Sequence, residues 1–297
     1  MKYPWLLAIL LSLYVHTTQT VAVDDEFLIN QGVDIQSSVD EWITLAEQGV
    51  VEAQYVLARM QMRGHYMLRD YTAAAYWMEQ AAKGGHLEAQ YYLGVLHEEG
   101  VGTGQDYTRA FEWYGKSAEA GHVLSQYQLG MIYSDGRMAP VNLEASAYWY
   151  LQAAAQGMPQ AQNNLGLLYL EGKGVPQNYP LASAWFEKAA EQGVADALTS
   201  LGTLYVKGLG VEQDYYQAME LFFAAAAQGH VEAEYNLGIM YAYGVGVLKQ
   251  DQKAYEWLQK AAIQGHVMAE REILLIRERK AANNRKERSV VANSQIG

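Results

Sequence analysis

The chain has 297 residues, of which 51% are hydrophobic and 18% charged; it has no cysteine, and its formal net charge is −12. Absence of cysteine excludes disulfides, thiolate metal sites and cysteine nucleophiles together. An acidic body repels nucleic-acid phosphates, which argues against a nucleic-acid partner, while the apolar fraction is that of a folded chain.

At the N-terminus Lys2 precedes an apolar run over residues 5–15, and a polar stretch then leads to the small residues Thr20 and Ala22. This pattern predicts a signal peptide over residues 1–22, and so an extracytoplasmic protein of the bacterial periplasm or secreted. The run is short of the roughly 20 residues a helix needs to cross a bilayer, so no stable membrane span is expected after cleavage. An uncleaved segment anchored in the inner membrane is the alternative. No cysteine follows the run, which excludes a lipoprotein anchor, and the chain has no N-x-S/T sequon.

Residues 23–33 form an acidic lead-in. Over residues 34–49, Trp42, Leu45 and Ala46 share one helical face, which predicts a capping helix equivalent to half a repeat. From there a glycine recurs at Gly49, Gly85, Gly121, Gly157, Gly193, Gly229 and Gly265, a spacing of 36 residues, so six full units fill residues 50–265. A period of this size signals a solenoid or array, in which each unit buries its apolar face against its neighbours.

Each unit divides into two helices. In the unit over residues 158–193, Ala161, Leu165, Leu168 and Tyr169 form the apolar face of the first helix, and Ala182, Trp185, Phe186, Ala189 and Ala190 that of the second. Gly94, Gly130, Gly166, Gly202 and Gly238 fall inside the first helices, at about 1 kcal/mol each relative to alanine, which predicts close approach of the paired helix backbone. A glycine-rich loop such as Gly172-Lys173-Gly174-Val175 ends the first helix. Asp70, Asp106, Asn142, Asn178 and Asp214 then stand where the second helix needs an N-cap. Two loops depart from this pattern, Gly64-His65-Tyr66-Met67 and Gly136-Arg137-Met138-Ala139-Pro140. Residues 266–280 read as a C-terminal capping helix, and residues 281–297, rich in Asn, Ser and Arg, as a disordered tail. From Glu270 onward seven basic residues meet four acidic ones, which makes the tail a candidate contact for an anionic surface.

The pattern A-Q-x-x-L-G-x-x-Y-x-x-G-x-G-V, then D/N, then A-x-x-W-Y/F-x-K-A-A-x-Q-G, resembles the Sel-1-like repeat (SLR), a relative of the tetratricopeptide repeat. The resemblance covers residues 34–280. It implies an all-α fold, a right-handed α/α superhelix of antiparallel helix pairs whose first helices line a concave surface. It also implies a non-enzymatic adaptor for protein–protein interaction. Some cysteine-rich relatives bind or hydrolyse β-lactams, so the alternative is a peptidoglycan- or β-lactam-binding protein or hydrolase of the bacterial envelope. This chain lacks both the cysteines and a Ser-x-x-Lys motif.

No cofactor, metal or catalytic site is expected. His86, His122, His230 and His266 occupy one position in successive units, too far apart to share an ion, and read as structural residues at the start of the first helix. Gly100, Gly102 and Gly104 join two helices and lack the strand and lysine of a phosphate loop. Glu98, Glu99, Asp135, Glu171 and Asp214 form no pair with glycosidase spacing. What remains is a stripe beside the core face of the first helices, which varies while the packing positions repeat. Its candidate peptide-binding residues are Tyr92, Gln128, Met131, Asn164, Leu167, Ser200, Asn236 and Ile239, where amides could hydrogen-bond an extended peptide and aliphatic side chains contact it.

Overall fold

The computed structural model describes residues 35–294. The expected signal peptide (1–22) and acidic lead-in (23–33) lie outside the described residues, as do residues 295–297. Among the described residues there are fourteen helices and no strand. They are α1 (Ile35–Glu47), α2 (Val51–Arg63), α3 (Tyr71–Lys83), α4 (Leu87–Glu99), α5 (Tyr107–Glu119), α6 (Val123–Asp135) and α7 (Leu143–Ala155). These are followed by α8 (Pro159–Glu171), α9 (Tyr179–Glu191), α10 (Ala195–Lys207), α11 (Tyr215–Ala226), α12 (Val231–Tyr243), α13 (Asp251–Ile263) and α14 (Val267–Ser294).

Contacts divide the chain into two compact units, one through Trp113 and one from Tyr114. In the first, α1 packs on α2, α2 on α3 and α3 on α4. In the second, each helix from α6 to α13 packs on the next in the chain, and α13 packs on α14. Consecutive helices thus form hairpins stacked in solenoid-like fashion, with a chain of small apolar clusters in place of one large core.

Local signals set the helix ends. Asp70, Asn142, Asn178 and Asp214 accept hydrogen bonds from backbone N–H groups of the first turn of α3, α7, α9 and α11, and Asp106 accepts one from Arg109 in α5. Gly64, Gly100, Gly136, Gly172, Gly208 and Gly244 end α2, α4, α6, α8, α10 and α12 in the left-handed conformation that glycine alone adopts cheaply. In the first divergent loop Tyr66 has φ 65°, where most repeats have a second loop glycine. That second glycine lets the loop lie on an earlier helix: a Cβ on Gly174 would overlap the Leu143 carbonyl, and one on Gly210 the Tyr179 backbone.

Two expectations need correction. At Gly130, Gly166, Gly202 and Gly238 the glycine inside the first helix mainly seats a side chain and does not simply bring two backbones together. A Cβ would stand 2.5 Å from the Tyr150 ring at Gly130, 2.7 Å from Phe186 at Gly166 and 2.7 Å from Phe222 at Gly202. At Gly238 backbone of the partner helix also comes close, Leu258 N at 3.2 Å. The final helix, in turn, does not stop at residue 280 before a disordered tail but runs on to Ser294. Apolar periodicity fades there, yet the segment holds no glycine or proline and includes helix-favouring Ala, Arg, Lys and Glu.

Candidate functional site

The repeated polar residues are mostly consumed by the scaffold. His86, His122, His230 and His266 each accept a backbone N–H bond at the start of a first helix, from Ala89, Ser125, Ala233 and Ala269. Three of them also reach back to a carboxylate at the start of the preceding first helix. His86 meets Glu52 at 3.2 Å, His230 meets Asp196 at 2.9 Å and His266 meets Glu232 at 3.1 Å. Two stack on a tyrosine of that helix, Tyr55–His86 at 4.1 Å and Tyr235–His266 at 4.3 Å between centroids.

A second ladder is built of glutamines. Gln156, Gln192, Gln228 and Gln264 donate to Gly121, Gly157, Gly193 and Gly229 carbonyls at 3.0 to 3.2 Å, each closing the preceding unit. Gln192 also donates to Gln162 at 2.8 Å, whose own amide donates to the Ala154 carbonyl at 3.2 Å. These groups satisfy helix ends, and their position in the period is that of structure.

The acidic residues fare similarly. Asp214 is a cap, Glu171 pairs with Lys173 at 2.6 Å, and Asp135 pairs with Arg137 at 3.5 Å. No group of three His, Asp or Glu residues among the described ones is arranged to hold a metal ion. Gly100, Gly102 and Gly104 connect α4 to α5, and the helix that follows starts at an aspartate cap, which opposes an anion.

Each of the eight candidate residues is half-buried, and Tyr92, Met131 and Leu167 also pack against apolar clusters. Tyr92 belongs to the first unit and Gln128, Met131, Asn164, Leu167, Ser200, Asn236 and Ile239 to the second. In the first unit Tyr92 lies 6.3 Å from the Tyr55 ring, and the Arg59 guanidinium stands over Tyr55 at 5.4 Å. Burial raises the Tyr92 hydroxyl pKa, and the nearby Arg59 and Arg63 charges partly offset this.

In the second unit Asn164 is more engaged than its sequence position suggests. Its carbonyl oxygen accepts from the Asn163 amide at 3.5 Å, and its side chain lies near enough to the hydroxyls of Tyr127 and Tyr150, whose rings are 5.7 Å apart, to lower the pKa of both. Burial pushes the Tyr150 hydroxyl up to about 12, and the Asn164 side chain draws it back in part. Tyr127 and Tyr150 were not among the residues expected at this surface. Tyr127 directly precedes Gln128 in the chain, and Tyr150 stands at the Y/F position of the second-helix pattern. Farther along, the Tyr243 hydroxyl donates to Glu272 at 2.7 Å, and Arg279 stands 5.5 Å over the Tyr243 ring. Among the described residues no helix is long and apolar enough to cross a membrane.

Comparison with known proteins accords with this geometry. The Sel1 repeat family model matches residues 51–86, 87–122, 123–158, 159–194, 195–230 and 231–266 in succession. Among solved structures, the chain is similar to a protective antigen present in uropathogenic Escherichia coli strains and displaying an SLR fold. Identity is 33% over 83% of this chain, with a TM-score of 0.76. The match covers 54% of that protein, so the present chain spans about half its length. It is also similar to a Sel1 repeat protein from Oxalobacter formigenes, with 30% identity over 82% of this chain and 80% of that one, and a TM-score of 0.56. No curated protein matches. With six tandem matches in phase with the hairpins, the chain belongs to the Sel1 repeat family.

Proposed function

We propose that this Sel1 repeat protein is an exported, non-enzymatic scaffold that binds a protein or peptide along the variable stripe of its first helices. The observation that carries this reading is the contrast between two sets of polar residues. The periodic histidines and glutamines are tied to helix ends and to neighbouring repeats, whereas Ser200 and Asn236 sit half-buried at positions the period does not fix. Half-buried amides flanked by Met131, Leu167 and Ile239 suit an extended backbone, which needs both hydrogen bonds and apolar contact.

Export rests on the signal-like residues 1–22, and a relative described as a protective antigen supports it. A photo-reactive side chain at Gln128, Ser200 or Asn236, expressed in the native host, should give a discrete adduct. The same probe at Tyr216 or Glu187 on the second helices should not; equal adducts from both faces would overturn the groove assignment. Fractionation tests export separately: the mature chain should lack its first 22 or so residues and leave the cytoplasm, and full-length cytoplasmic protein would refute this.

A further inference from the structure

Residues 270–279 of α14 read Glu-Arg-Glu-Ile-Leu-Leu-Ile-Arg-Glu-Arg, and this order inverts about the midpoint between Leu274 and Leu275. Ile273 mirrors Ile276, and each charge mirrors its opposite: Glu270 and Arg279, Arg271 and Glu278, Glu272 and Arg277. Within one helix the inversion does nothing. Opposite charges pair when they stand three or four residues apart, and no Glu of the stretch has a Lys or Arg, nor any Arg an Asp or Glu, at either spacing.

The midpoint lies on an exposed face. Ala269, Ile273 and Ile276 are buried in the cluster that α14 shares with α12 and α13. On the opposite side of the helix Val267, Met268, Leu274 and Leu275 form an exposed apolar face, with Arg271 and Glu278 among them. Leu274 stands at the repeat position of Gly238, where Leu258 of the following helix fills the space. Here no such helix covers the position, and Leu274 is 56% exposed. Glu272 accepts from the Tyr243 hydroxyl, Arg277 donates to that of Tyr255, and Arg279 stands over the Tyr243 ring. Arg271 and Glu278, by contrast, make no ion pair among the described residues.

We propose that this face binds a second copy of the chain, with the two α14 helices antiparallel about a two-fold axis between Leu274 and Leu275. An isologous contact must be self-complementary, and the inverted order supplies that property. Leu274 meets the partner's Leu275, and Arg271 faces the partner's Glu278, each contact occurring twice. The stretch is neutral, three Glu against three Arg, in a chain of net charge −12. Two copies therefore meet there without the repulsion that an acidic surface imposes.

Sedimentation velocity of the purified chain, from micromolar to near-millimolar concentration, should show a monomer–dimer equilibrium. Leu274→Gln keeps a helix-favouring residue at an exposed position, so its circular dichroism should match the wild type while self-association weakens about a hundredfold. Arg271→Glu and Glu278→Arg should each weaken it about tenfold, since two pairs per dimer turn from attraction to repulsion. An equimolar mixture of these two variants should recover it, because both contacts between unlike chains again join opposite charges. A wild type that stays monomeric, a Leu274→Gln chain that dimerises undiminished, or a mixture no tighter than either variant alone would overturn the assignment. So would a monomer that binds phosphatidylglycerol vesicles and loses that binding in Leu274→Gln, which gives the face to a membrane.

Discussion

At Gly166 a missing Cβ makes room for the edge of Phe186, which is fully buried against it. Glycine inside a helix costs about 1 kcal/mol relative to alanine, so the position is tolerated for what it seats. Gly166→Ala should therefore destabilise by about 1–2 kcal/mol, overlap outweighing the gain in helix propensity. In a Phe186→Ala background the same change should become stabilising, by up to about 1 kcal/mol. Urea titration of the four proteins reads both effects, and one sign in both backgrounds would refute the seat. Tyr150 occupies the equivalent place over Gly130, and burial raises its hydroxyl from 10.0 to about 12. A raised folded pKa means that the folded chain holds the proton more tightly. The stabilisation is thus fully present below about pH 10 and is lost as pH rises from there toward about 12. Thermal melts should fall more steeply across that window in the wild type than in Tyr150→Phe, and parallel curves would refute the shift.

Helices are the scale at which the sequence was most legible, because their signals are local. Asp70, Asn142, Asn178 and Asp214 stand where a cap is needed and do cap. Loop glycines such as Gly172 mark helix ends because few other residues adopt the left-handed turn cheaply. Less legible was what each element touches. The period shows that Gly166 recurs, but only packing shows that a ring rather than a backbone fills the space. Asn164 looked like an open groove amide, yet its oxygen accepts from Asn163, and the hydroxyls of Tyr127 and Tyr150, from other segments of the chain, feel its side chain. For α14 the misleading signal was loss of apolar periodicity, which a helix does not need in order to continue. Ala281, Ala282 and Arg285 are exposed there. Truncation after Lys280 should therefore lower helical circular dichroism by about 14 residues' worth and leave the melting temperature within about 1 °C, as expected of a helical extension that begins with exposed residues. A large fall in melting temperature would show that it packs.

Across the whole chain the fold is written in nearest-neighbour terms, and this has a consequence that single substitutions do not reach. In the second unit the bonds from Gln192 to Gly157, from Gln228 to Gly193 and from Gln264 to Gly229 repeat one geometry, each joining a helix end to the unit before. The seats at Gly166 and Gly202 likewise repeat one packing within each hairpin. If stability is a sum over repeats and their interfaces, removal of one full period leaves every remaining interface of a kind the chain already makes. Deleting residues 159–194 joins Met158 to Ala195, a cap position to the first residue of an equivalent helix. That protein should keep its helicity per residue and melt cooperatively, with a modest loss of stability. Deleting residues 159–188 instead breaks the phase, placing glutamines opposite no carbonyl and rings opposite no glycine, and should lose cooperative melting. Circular dichroism of the two deletions decides the matter: equal behaviour would mean that phase does not govern this array, and with it would go the separation of packing residues from the stripe on which the binding proposal depends.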